Sequence, residues 1–153
     1  MFRFGIIGSC LLAGLPFWLA PAADTDNQPE WFTGKVVPVA DLVTPLGTKL
    51  DPDAAPHWLV LVTEEGRIYP LIKDDGCRMF FKDKRLLNRP VRLKARRLPG
   101  SELLKVYQVH GLVDGKLHDV YYWCGICFIK RYEMTDCECC GAPMELTIEP
   151  VRK

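Results

Sequence analysis

Neither sign of charge is in excess. Twenty Lys and Arg face 19 Asp and Glu in 153 residues, a formal net charge of +1, so the broad electrostatic grip of a nucleic-acid-binding chain is missing. Histidine is scarce, with three in the whole chain. No Ser-His-Asp spacing, paired-carboxylate arrangement or glycine-rich phosphate loop occurs, and the chain therefore reads as non-enzymatic. No apolar run reaches the ~20 residues of a spanning helix. The length allows one domain with a small appendage. Apolar residues at 48% and charged residues at 25% exclude wholesale disorder and fibrous repeats. What is abundant is cysteine: seven in all, five of them between Cys124 and Cys140.

Residues 1–23 read as a cleavable secretory signal. Arg3 supplies the basic end, Phe4 to Leu19 the apolar centre, and Ala20-Pro21-Ala22-Ala23 the small residues of a cleavage site. An uncleaved anchor is the weaker alternative, because Pro16 breaks the apolar segment. Ile7-Gly8-Ser9-Cys10 has too little apolar length before it for an acylated lipoprotein cysteine. The expectation is an exported protein of the periplasm or cell envelope, without a membrane span once the leader is removed. Cys10 leaves with the leader, so six cysteines remain. In an oxidising compartment six cysteines pose a choice between disulfides and metal.

A polar lead-in occupies residues 24–31. Strand-like runs follow at Trp31–Val37, Trp58–Thr63 and Arg67–Ile72, with a proline-rich surface loop over Thr44–Pro56 and a tight turn at Glu64-Glu65-Gly66. Asp83–Asn88 suits a short helix with Asp83 as its N-cap, stopped before Pro90. Val91, Leu93 and Ala95 then alternate with Arg92, Lys94 and Arg96, the period-2 pattern of a strand with one wet face. Leu103–Leu112 is the fifth run, and Asp114-Gly115 is a strong two-residue hairpin turn into Leu117–Trp123. Three strands, a short helix and two more strands resemble the OB-fold, a five-stranded Greek-key barrel. The expected fold is mainly β: an OB-like barrel over residues 32–117 followed by a C-terminal cysteine ribbon over 118–153.

Within the barrel, Lys82 to Arg97 holds eight Lys and Arg against Asp83 alone. This segment reads as a solvated strand and helix face, with an anion-binding surface as the alternative; the nearby Phe80 and Phe81 suit core packing as well as they suit stacking. Export makes nucleic acid an unlikely partner, leaving a protein or envelope ligand. If Val113 pairs with Lys116 across the turn, His110 falls opposite Asp119 and His118 opposite Gly111, which suits a cross-strand surface pair. His57 sits beside the loop prolines and carries little information. Tyr121, Tyr122 and Trp123 are candidate packing or contact residues.

The C-terminal segment holds Cys124-x-x-Cys127, nine residues, then Cys137-x-x-Cys140. Each pair can form a knuckle that sets two sulfurs on one side of a turn, and two facing knuckles make a tetrahedral site with zinc–sulfur distances of about 2.3 Å. Gly141 directly after the second pair suits such a turn. About 30 residues cannot bury a sufficient core unaided, so one structural zinc held by Cys124, Cys127, Cys137 and Cys140 is the leading expectation. Three disulfides, completed by Cys77 and Cys139, are the alternative that export favours. A thiol-disulfide oxidoreductase is the remote one, because Cys124 follows a strand and Phe128-Ile129 continues as another. Cys139 stands outside a closed tetrahedron, although a softer ion such as Cu(I) could recruit it. Cys77, in the turn Asp74-Asp75-Gly76-Cys77, reads as a bystander.

The segment looks like a zinc ribbon. Its tyrosine before the first pair and its ending Cys140-Gly141-Ala142-Pro143-Met144-Glu145-Leu146 are similar to the small heavy-metal-binding ribbon found beside bacterial metal-export proteins. That family carries histidine where Cys127 stands and proline-glycine where Thr135-Asp136 stand. The resemblance implies a metal site and, as a rival to structural zinc, envelope handling of zinc or copper by the same sulfurs. The whole chain also resembles small exported bacterial proteins of unknown function, which implies export and no particular activity.

Overall fold

The computed structural model describes residues 28–151; the expected leader, 1–23, lies outside them. Eight strands form one antiparallel sheet: β1 (Glu30–Pro38), β2 (Leu59–Thr63), β3 (Ile68–Pro70), β4 (Pro90–Arg97), β5 (Leu104–Val113), β6 (Lys116–Cys124), β7 (Ile129–Arg131) and β8 (Glu145–Pro150). The order is β3-β2-β1-β4-β5-β6-β7, with β8 also on β6. Two short helices, α1 (Val39–Val43) and α2 (Arg78–Lys82), lie in the connections. No helix among the described residues is long and apolar enough to cross a membrane.

The period-2 alternation of β4 is realised: Val91, Leu93 and Ala95 are buried, whereas Arg92, Lys94 and Arg96 reach the other face. Phe32 and Val36 of β1, Leu59 and Leu61 of β2, and Leu104 and Val106 of β5 join them in one core. Phe32 meets Tyr69 edge-on at 5.2 Å between ring centres. Gly34 permits β2 to approach β1, since a Cβ there would stand 2.2 Å from the Val62 carbonyl oxygen.

Two expectations are corrected. The sheet is open and has eight strands, where a closed barrel of five was expected. Between β3 and β5 there is no ladder, only a parallel bridge from Leu71 to Leu104 with the Ile72 N–H donating to the Leu104 oxygen at 3.0 Å. The count rises because the Asp114-Gly115 turn carries the ladder directly from β5 into β6, with both turn residues at positive φ. Secondly, the helix expected over 83–88 is a single 3-10 turn at Lys84–Leu86, while the regular helical turn lies upstream in α2. Asp83 does cap: its side chain accepts the Arg85 N–H at 3.0 Å. The proline-rich loop follows α1 directly and carries 3-10 turns at its two ends, Thr44–Leu46 and Ala55–His57; none of the three buries a residue.

β6 positions the cysteines. Residues 118 and 119 pair with both β5 and β8, and residues 122 and 123 with both β7 and β8. Because a strand has two edges, β5 and β7 succeed one another along one edge of β6 while β8 covers the other. The strand leaves the main sheet and becomes the centre of a three-stranded ribbon without a break.

Candidate metal centre

β6 ends at Cys124 and β7 begins at Ile129, its register partner. The intervening turn is closed by the Phe128 N–H on the Cys124 carbonyl oxygen at 2.9 Å, with Phe128 at φ 56°. Within it the Cys127 N–H donates to Cys124 Sγ at 3.4 Å. The second pair repeats the construction. Gly141 donates its N–H to the Cys137 oxygen at 2.7 Å and stands at φ 71°, the left-handed conformation a glycine adopts without strain. The Cys137 N–H to Ala142 oxygen bond, 2.8 Å, closes the base of this knuckle.

The two knuckles face each other. Cys124, Cys127, Cys137 and Cys140 offer sulfurs that all lie within 4.8 Å of one another, and Cys124 Sγ to Cys140 Sγ is 3.6 Å. A tetrahedron with metal–sulfur bonds of about 2.3 Å has edges of about 3.8 Å, so the spacing fits a four-sulfur metal site. The electrostatics agree, because several thiolates this close repel one another unless a cation intervenes. The Cys127 thiol is pushed well above its ordinary value, first by the thiol of Cys139 and next by that of Cys140. By contrast, Cys137 is held down to about 7 by the backbone N–H groups of Cys140 and then Cys139, which stabilise its thiolate.

Cys124 and Cys137 are buried and belong to the core, Cys127 is half-buried, and Cys140 is exposed. Met144 is buried in the same core and Leu146 packs against it. Two further contacts fasten the ribbon. Glu133 pairs with Arg78 at 2.9 Å and Lys82 at 2.6 Å, joining the loop before the second knuckle to α2. Arg131 of β7 donates to Glu138 of the second knuckle at 2.6 Å. Sequence reading missed both contacts, and no local signal pairs residues 78 and 133.

Of the other candidates, Cys139 sits at the edge of the cluster with its thiol against that of Cys127, whereas Cys77 and the histidines lie elsewhere. Cys77 is fully buried, donates to the Ile72 carbonyl oxygen at 2.7 Å, and has its thiol pushed up to about 11 by burial. Cys139 is exposed. His110 does lie opposite Asp119, with Nδ1 3.2 Å from Oδ1, but it is buried beneath Trp31 instead of lying on the surface. His118 faces Gly111 as expected, and its Nδ1 contacts the Lys116 oxygen. His57 contacts Lys73. Tyr122 is wholly buried packing, Tyr121 is nearly so, and Trp123 is half-exposed. No family model, curated protein or solved structure matches the chain.

Proposed function

We propose that the chain is an exported, non-enzymatic binding module of the periplasm or cell envelope. In this reading one structural zinc, held by Cys124, Cys127, Cys137 and Cys140, fastens a C-terminal ribbon to an OB-like β domain. The observation that carries the metal assignment is the convergence of the four sulfurs within 4.8 Å. Two knuckles of the same hydrogen-bonding pattern support it, and an all-sulfur tetrahedron suits zinc. Residues 118–153 share the main core through Val120, Tyr122 and Met144; zinc would fasten the two knuckles beyond it, and its binding energy would appear as folding energy of that segment. The OB-like reading of the β domain rests on the strand order β3-β2-β1-β4-β5 and the parallel bridge that links its two ends.

The test is metal content and thiol state together. Protein purified under reducing conditions is expected to carry about one zinc per chain. Chelation is expected to abolish the amide dispersion of β7 and β8 while β1 to β5 keep theirs. Paired disulfides among these four cysteines in protein recovered from its native compartment, with no zinc bound, would overturn the assignment.

The exposure of Cys140 and Cys139 favours a second reading, exchangeable metal handling, because an incoming thiol can reach the open side of the site. Rapid zinc transfer to a competing chelator from folded protein would select it over a structural role.

A further inference from the structure

We infer that the outer face of the sheet carries a binding groove for an acidic oligosaccharide, running from Trp31 past Lys94 to the bulge at Tyr107. The inference names a ligand for the binding module proposed above and is independent of the metal. Three observations converge on it.

The first is a cationic cluster on an aromatic. Lys94 lies directly opposite Trp31 in the β1–β4 register, and Arg92 lies opposite Thr33. The Arg92 guanidinium is 5.0 Å from the Trp31 ring centre and the Lys94 ammonium 6.0 Å. Neither cation has a carboxylate within ion-pair distance among the described residues. Trp31 keeps 39% of its surface exposed above His110, whose ring is 5.4 Å away and fixes it from below. The exposed part of the ring offers an apolar edge against which the C–H groups of a pyranose can rest, and the two cations that lie over the ring can receive a carboxylate.

The second is the bulge. The β4–β5 register slips between Lys94, paired with Gln108, and Ala95, paired with Val106, so Tyr107 is the extra residue. The result is that Tyr107 and Gln108, consecutive in sequence, are both exposed between buried Val106 and Val109. Bulges of this kind re-aim side chains at sites of function. Here the bulge turns an aromatic and an amide onto a single surface.

The third is a cleft. Lys94, Tyr107 and Gln108 line an open cleft of about 820 Å³, whose far wall is Lys105, Tyr132 and the Asp74–Gly76 turn. That turn is pressed onto β5 so closely that a Cβ on Gly76 would stand 1.8 Å from the Val106 oxygen. Beside its aromatic rings, cations, amide and carboxylates, the lining includes the apolar Pro29, Met79, Val106 and Val109. Asp75 is paired with Arg78 at 2.6 Å and Asp74 lies 3.9 Å from Lys105, which leaves Lys94 as the cleft's cation without a carboxylate partner among the described residues. An acidic glycan bears neutral hydroxyls between its carboxylates, and those hydroxyls can donate to the aspartates.

The full zinc-loaded chain titrated calorimetrically with tetragalacturonate is the test, with the methyl-esterified tetramer and a short oligothymidylate in parallel. Expected is saturable binding to the acid form. Methyl esterification, Trp31→Ala and Lys94→Gln are each expected to weaken it about tenfold or more, with zinc content and circular dichroism unchanged. Tyr107→Ala serves the same purpose if Trp31→Ala does not fold. Absent binding to the uronate, equal affinity in all variants, or tighter binding of oligothymidylate would overturn the groove assignment while leaving the zinc reading intact. Loss of zinc alone would do the reverse.

Discussion

The Tyr122 hydroxyl donates a 2.8 Å hydrogen bond to Asp83 Oδ2, joining the C-terminal part of β6 to the connection before β4 across 39 positions of sequence. Both residues are buried. Arg85 completes the arrangement, its Nε donating to Oδ1 at 2.9 Å and an Nη to Oδ2 at 2.7 Å. The strand that carries the first cysteine knuckle is thereby tied to the β domain by a charged hydrogen bond in the core.

Tyr122→Phe removes that donor and keeps the ring. It should cost about 1.5–3 kcal/mol, the range for hydrogen bonds to charged groups, read from the urea midpoint at constant m-value. A loss below about 0.5 kcal/mol would show that Arg85 alone satisfies Asp83.

Asp83 should also give stability a signature in acid. Its carboxyl is lowered to about 2, chiefly by the hydrogen bonds from Arg85 and then by that from Tyr122, against a desolvation that acts in the opposite direction. A depressed folded value means that the unfolded chain takes up the proton first. The stabilisation is therefore fully present above about pH 4 and is lost as pH falls toward 2, an amount of about 2 kcal/mol. Unfolding midpoints measured from pH 5 to pH 2 should fall less steeply in Asp83→Asn than in the parent.

Substitutions at the glycines should separate close approach from open space. Gly34→Ala places a Cβ against the Val62 oxygen, and Gly76→Ala places one against the Val106 oxygen. Each should destabilise by about 1–3 kcal/mol, because backbone atoms of a neighbouring strand have to move. Gly125→Ala meets nothing within 4 Å and should stay within about 0.5 kcal/mol. Thermal melts of the three variants check the ordering.

Metal content should distinguish Cys139 from its neighbours. Cys139→Ser is expected to retain zinc at the parent stoichiometry, whereas Cys137→Ser, which removes a buried sulfur of the cluster, should lose most of it. Elemental analysis after dialysis against a weak chelator decides. Equal losses in the two variants would place Cys139 among the ligands.

Much of the strand content was legible because burial on one face imposes period 2, as at Val91, Leu93 and Ala95, and because Asp114-Gly115 can close a hairpin in a single register. That register placed His110 opposite Asp119 in advance. The helical turns were harder to locate, since α2 and the 3-10 turn after it are too short for a 3.6-residue period to develop. Closure was not legible either: whether β3 meets β5 by a ladder or by one bridge depends on sheet curvature, which Gly34 and the bulge at Tyr107 control only through their neighbours.

Sequence alone determined the two cysteine pairs and their knuckles, the alternation of the strands and the near-zero charge, because each is a property of residues a few positions apart. Tertiary structure decided that the two knuckles face each other, that Tyr122 reaches Asp83, that Glu133 seizes α2, and that Trp31 collects Arg92 and Lys94. These are pairings between distant segments. Their free energy comes from burial and charge brought together only when β1 pairs with β4 and β6 passes from one sheet partner to the next, and no local pattern encodes those pairings.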